Sequence, residues 1–233
     1  MAINLDSYLV ILDHCRGILP ILARSQVTSP SATMFVVMSH NTTDAFAAQE
    51  SPVLYTYGLK DIALTFFYFL ISIVMHAVIQ EYLLDKVNRK LHLSKVKHSK
   101  FNESGQLLTF YLISCVWGGE IIRRENLLTS PSNLWANYPD AQLPYLFKFY
   151  FIIQIAYWLH NFPELYFQKV KKDDMPARVS YSSIYLFFFT GAYLLNLGRV
   201  AVVLSVLHYA AEALFHLSRL VYFADKQQIC NYG

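Results

Sequence analysis

Charge is scarce in this chain. Only 15% of its 233 residues are Asp, Glu, Lys or Arg, where a soluble domain usually carries about 25%. The net charge is only +3, so there is no overall basic excess of the kind a dedicated nucleic-acid binder shows. The three cysteines, Cys15, Cys115 and Cys230, form no CxxC pair. That excludes a zinc ribbon and gives no disulfide framework. No internal repeat or low-complexity tract is evident. No basic residue precedes the first apolar stretch, so the N-terminus lacks the pattern of a signal peptide.

What the chain has is apolar and aromatic residues, with 55% hydrophobic residues, 17 Tyr and 17 Phe. The class this implies is an all-α, multi-spanning helical membrane protein. Five spans are expected. Ile62–Gln80 carries no formal charge over 19 residues, nearly enough at about 1.5 Å per residue to cross a hydrocarbon core of about 30 Å. Leu107–Ile122 is shorter and holds Glu120. Tyr145–Phe167 holds Lys148, His160 and Glu164. Ser180–Leu197 is uncharged, and Val200–Ala224 holds His208, Glu212, His216 and Arg219. Upstream, Tyr8–Ala23 is only moderately apolar and contains Asp13, Arg16 and Pro20, which makes a span costly. Ser31–Met38 is too short to cross. The expected organisation is a divergent, mostly lumenal region over 1–60 with a weak span. A first clear span and a basic cytosolic loop follow over 61–106, then a bundle over 107–225 and a short tail over 226–233.

Lys and Arg counts thread the chain. The loop after the first span carries Lys86, Arg89, Lys90, Lys95, Lys97 and Lys100. The next connection has Arg123 and Arg124, the third has Lys169, Lys171, Lys172 and Arg178, and the fourth has Arg199. By the positive-inside rule the first and third connections are cytosolic, the segment before Ile62 is lumenal, and the C-terminus is cytosolic. Two N-glycosylation patterns then separate. Asn102-Glu103-Ser104 falls in a cytosolic loop and stays unmodified, whereas Asn41-Thr42-Thr43 is lumenal and is the expected acceptor.

Three in-span polar features stand out. His208, Glu212 and His216 are spaced by four and share one helical face. That spacing suits either a metal or a polar stripe turned inward or toward lipid headgroups. The stripe is the expectation, and neither metal nor cofactor is expected. His160 and Glu164 flank Pro163, where a kink would place them beside a polar groove. Lys148 is expected to snorkel to the lumenal interface. The basic loops, with Lys95, Lys97, Lys100, Lys171 and Lys172, fix topology and could also attract anionic lipid or ribosomal RNA.

The blocks "HAVIQEYLLDK", "SKVKHSKFNESGQL", "AYWLHNFPELYFQKVKK", "GAYLLNL" and "LFHLSRLVYFAD" resemble the translocating chain-associated membrane protein (TRAM) family. The resemblance runs from about Tyr55 to Asp225. It implies a TLC-type helical bundle in the endoplasmic reticulum membrane. It also implies a non-enzymatic accessory of the Sec-type channel that assists nascent chains and signal sequences, with membrane lipids and the ribosome as further partners and no specific nucleic acid. The family begins with a basic N-terminus and a clear first span and continues past the point where this chain ends, so a truncated, non-functional form is another reading. A third is a TLC-type lipid binder or lipid-modifying enzyme, because ceramide synthases share the fold. Their signature pairs two histidines a few residues after an "RKDF"-like loop. Here the loop is Lys171, Lys172, Asp173 and Asp174, but Ser180 and Tyr181 stand where the pair would fall. On the later helix His208 is kept, Tyr209 replaces an aspartate, and Glu212 could replace the second. Without the pair, the base that acyl transfer needs has no evident holder.

Overall fold

The computed structural model describes residues 34–42, 53–91, 95–140, 142–167, 170 and 172–232. The expected weak span over Tyr8–Ala23, most of Ser31–Met38, and Lys171 lie outside them. The described chain is helical: α1 (Lys60–Ile79), a π-helical turn (Gln80–Leu84), α2 (Asp85–Leu91), α3 (Lys95–Arg124), α4 (Tyr145–Phe167), α5 (Met175–Leu194) and α6 (Gly198–Tyr232). Two dipeptide strands, β1 (Leu54–Tyr55) and β2 (Leu143–Pro144), pair antiparallel, and a 3₁₀ turn covers Pro131–Trp135. Four of the five expected spans are helical throughout, and the fifth, Ser180–Leu197, is helical as far as Leu194. Among the described residues, three helical stretches are long and apolar enough to cross a membrane: Lys60–Leu91, Lys97–Arg124 and Gly198–Ala224.

Two differences from the sequence expectation are instructive. The basic "loop" is mostly helix: α2 and then α3 cover it, and α3 runs unbroken for 30 residues from Lys95. Lys97 and Lys100 therefore sit on a helix, not in a loop. Lysine counting reports which side of the membrane a segment occupies, not its local conformation, and Lys is itself a good helix former. The segment over 226–233 is likewise no separate tail as far as Tyr232, because α6 continues through it.

The residues group into two compact units. One holds the described residues up to Val74 with Leu134–Ala201, and the other holds Met75–Asn133 with the residues from Val202. In the first unit α4 packs along α5. Trp158 is fully buried and stacks on Tyr185 at 4.0 Å and 5°, while Phe151 packs on Phe189 and Tyr193 at 6.0 Å each. Gly198 opens α6 where a side chain would not fit, since a Cβ there would lie 2.9 Å from the Phe147 ring. In the second unit the π turn and α2 pack on α3. Gly105 permits that approach, because a Cβ would meet Leu84 Cδ2 at 2.4 Å.

Candidate functional site

Three polar constellations lie within or beside the apolar helices. The first was not foreseen. Lys148 does not snorkel: it is fully buried, and its Nζ is 2.8 Å from Asp61 Oδ1. The ammonium has three donors. Besides Asp61 it donates to the carbonyls of Ser39 at 2.9 Å and Thr56 at 2.8 Å. The Tyr55 ring lies 5.7 Å from it. Asp61 Oδ2 in turn accepts from the Tyr193 hydroxyl and from the Gly58 backbone N–H, each at 2.8 Å. The Gly58 bond belongs to the N-terminus of α1: Asp61 reaches back over the first turn as the acidic half of a capping box. The pair thus ties the start of α1 to α4 and α5, and pins the chain at Ser39 and at Thr56. There Asn41 bridges to Tyr55, and Thr42 N–H donates to the Leu54 carbonyl at 2.9 Å. An isolated buried charge costs several kcal/mol, so snorkelling loses to a partner of opposite charge with full hydrogen bonding. The sequence signal that could have found it was Asp61, one residue outside the expected span.

His160 and Glu164 of α4 are buried as well, at 0% and 5% exposed. His160 Nδ1 lies against the Tyr157 carbonyl, and its ring centroid is 4.7 Å from that of Tyr157. Glu164 is thus held inside.

On α6 the stripe forms as its spacing suggests. His208 Nε2 is 3.8 Å from Glu212 Oε1, and His216 Nε2 is 3.7 Å from Glu212 Oε2. These separations are beyond hydrogen-bond length. The three side chains differ in exposure, 49% for His208, 27% for Glu212 and 7% for His216. His216 packs near Tyr111, with ring centroids 5.8 Å apart. Tyr209, at the position of an enzyme's aspartate, is fully buried between Phe110 and Tyr111 at 5.7 and 4.9 Å. Tyr181, at the position of the histidine pair, lies 5.8 Å from Trp158, and the Tyr185 hydroxyl donates to its oxygen at 3.2 Å. Aromatic packing occupies both places.

The third constellation replaces the expected loop. Asn88 donates its amide to Asn102 Oδ1. Gln80 Nε2 donates to Asp85 Oδ1 at 2.9 Å, and Asn102 Nδ2 approaches the same oxygen at 3.4 Å. Gln106 Nε2 donates to the His76 carbonyl at 2.9 Å. His98 Nε2 stands 3.6 Å from Asp85. Asn102 is only 9% exposed. Asn41 is exposed. Lys97 is half-buried, and Lys100 and Lys172 are exposed.

The TLC domain family matches residues 100–233. The chain is 49% identical over 201 residues to translocating chain-associated membrane protein 2 of Homo sapiens and 50% identical over the same length to that of Mus musculus, in each case covering 86% of this chain and 54% of the relative. It is also 26% identical over 132 residues to human ceramide synthase 4, covering 57% of this chain and 33% of that protein. The chain spans about half the length of the translocating chain-associated relatives. With an all-helical fold and apolar helices of spanning length, the chain belongs to the TLC-domain family of membrane proteins, as a member of its TRAM branch.

Proposed function

We propose that the protein is a non-enzymatic accessory of a Sec-type translocon in the endoplasmic reticulum membrane, with a cytosolic C-terminus, assisting nascent secretory and membrane proteins. The observation that carries this is the identity of about half the aligned residues to translocating chain-associated membrane protein 2. Aromatic packing of Tyr181 and Tyr209, where ceramide synthases would carry catalytic groups, supports a non-enzymatic role.

The polar residues then act on clients, not on a bond. Glu212, with His208 and His216 on either side, offers a passing segment a hydrogen-bonding surface part-way across the membrane. That lowers the local cost of a polar residue in a marginally hydrophobic helix. His160 and Glu164 serve as a second, more enclosed polar lining on α4. Asn41 is the sugar acceptor, exposed on a lumenal segment.

The test is site-specific photocrosslinking from α4 and α6 to a stalled nascent chain in microsomes. Adducts to the channel or to a signal sequence are expected, strongest for clients with weakly apolar segments. Complete absence of channel and nascent-chain adducts would sink the proposal. In the same microsomes, an endoglycosidase-sensitive mass shift should vanish in Asn41→Gln and persist in Asn102→Gln. A shift lost only in Asn102→Gln would invert the topology.

A further inference from the structure

The hairpin from the π turn through α2 to the start of α3 is too long to lie within hydrocarbon. The continuous helix Lys60–Leu91 has 32 residues and α3 has 30. Each is roughly 45 Å or more, against about 30 Å of hydrocarbon. The uncharged run of the first ends at Gln80 and the apolar run of α3 begins at Leu107. What lies between therefore stands at headgroup level.

Its surface is sorted there. Leu84 and Asn88, one helical turn apart, are buried, as are Phe101, Asn102 and Gly105 across from them. The amide and carboxylate groups of Gln80, Asp85, Asn88 and Asn102 bond to one another inside. That leaves Lys86, Arg89, Lys90 and Lys100 exposed. Among them stand Tyr82, Leu83 and Val87, apolar yet 60%, 51% and 37% exposed. Lys86 Nζ lies 5.9 Å from the Tyr82 ring. From Gln80 to Glu103 the chain carries six Lys or Arg against three acids, Glu81, Asp85 and Glu103, and Asp85 is turned toward the amides.

We infer that this folded hairpin is a binding surface for anionic phospholipid headgroups, with Lys86, Arg89 and Lys90 contacting phosphate and carboxylate groups while Tyr82, Leu83 and Val87 rest in the upper acyl region. Interleaved cations and exposed apolar groups at one membrane depth fit a lipid leaflet. They fit RNA less well, because RNA would leave the three apolar side chains in water. Clusters of four to eight cations beside a span attract anionic leaflets. Here the part-buried amide knot fixes them on a helix, so the surface is built rather than a flexible charged tether. The inference rests on membrane placement alone and stands whatever the protein's role at the channel.

The test uses the full chain in nanodiscs of mixed phosphatidylcholine and phosphatidylserine. After mild detergent extraction, native mass spectrometry counts the lipids retained. Phosphatidylserine should be enriched over its input ratio, less so as salt rises. Lys86→Gln, Arg89→Gln and Lys90→Gln should each lower the enrichment about fivefold. Asn88→Ala should lower it with the net charge unchanged, which a mere sum of charges would not do. Circular dichroism confirms that each variant remains helical, and the wild-type salt titration tests the idea without any variant. Retention at the input ratio by the wild type, or undiminished enrichment in the combined Gln variant, would overturn it. So would ribosome binding in pure phosphatidylcholine discs that the Gln variants abolish, with no preference for phosphatidylserine. The surface would then read RNA.

Discussion

Asp61–Lys148–Tyr193 and His208–Glu212–His216 are both charged groups on membrane helices, yet they are built on opposite principles. In the first, the ammonium has three oxygens at 2.8–2.9 Å, and Asp61 Oδ2 accepts two more donors at 2.8 Å. In the second, Glu212 stands 3.7–3.8 Å from either histidine and is itself part-exposed. A saturated, buried cluster holds helices in register. The α6 groups meet one another only at 3.7–3.8 Å and hold their helix less tightly. Between these extremes lies the amide knot of Gln80, Asp85, Asn88 and Asn102, in which the two asparagines are buried, Gln80 and Asp85 are half-buried, and Asp85 is the one carboxylate.

The contrast breaks first at Lys148. Lys148→Met strands Asp61 as a buried charge, and the expected loss is about 3–5 kcal/mol. Adding Asp61→Leu removes the stranded charge and should recover much of that loss. Tyr193→Phe, which deletes one hydrogen bond to a charged group, should cost about 1.5–3 kcal/mol. Unfolding of the reconstituted protein, followed by intrinsic tryptophan fluorescence, gives the ranking. If the double variant proves no more stable than Lys148→Met, the pair is not the source of the effect.

The middle case is the amide knot. Asn102→Leu leaves the Asn88 amide and one Asp85 contact without their partner, at a cost of about 1–3 kcal/mol. Hydrogen exchange should locate the loosening in the π turn, α2 and the first turns of α3, with the Lys148 region untouched. Exchange that rises evenly across the chain would contradict the knot's local role.

How much of this could be read beforehand follows the range of each signal. The bounds of α4 coincide with the expected span at Tyr145 and Phe167, because a run of apolar residues is a local property. The α6 stripe was equally legible, since a spacing of four fixes one helical face. The Lys148 cluster was not. Tyr193 and Asp61 lie 132 residues apart, and nothing near Lys148 in the chain marks Asp61 as its partner. The twelve residues by which α3 precedes Leu107 were not legible for a related reason. Ser104 and Gln106 are buried polar residues of α3 that interrupt the apolar run, and Gln106 is accommodated by a bond to the His76 carbonyl, 30 residues away in the chain.

Glu212 gives the smallest effect and the sharpest sign. Replacing it with Gln removes a part-exposed carboxylate from a spanning helix. The histidine contacts forfeited are longer than hydrogen bonds, while a charge in that setting carries a desolvation cost. Glu212→Gln should therefore change stability by less than about 1 kcal/mol, toward neutral or stabilising, where Lys148→Met is strongly destabilising. His216→Ala should cost more than Glu212→Gln, because His216 is packed beside Tyr111. If the α6 stripe serves clients, crosslinking of a weakly apolar nascent segment should fall in Glu212→Gln while its unfolding profile stays near that of the wild type. A large stability loss in Glu212→Gln would instead make the stripe a second structural clamp, and the distinction between saturated and open polar groups would fail for this bundle.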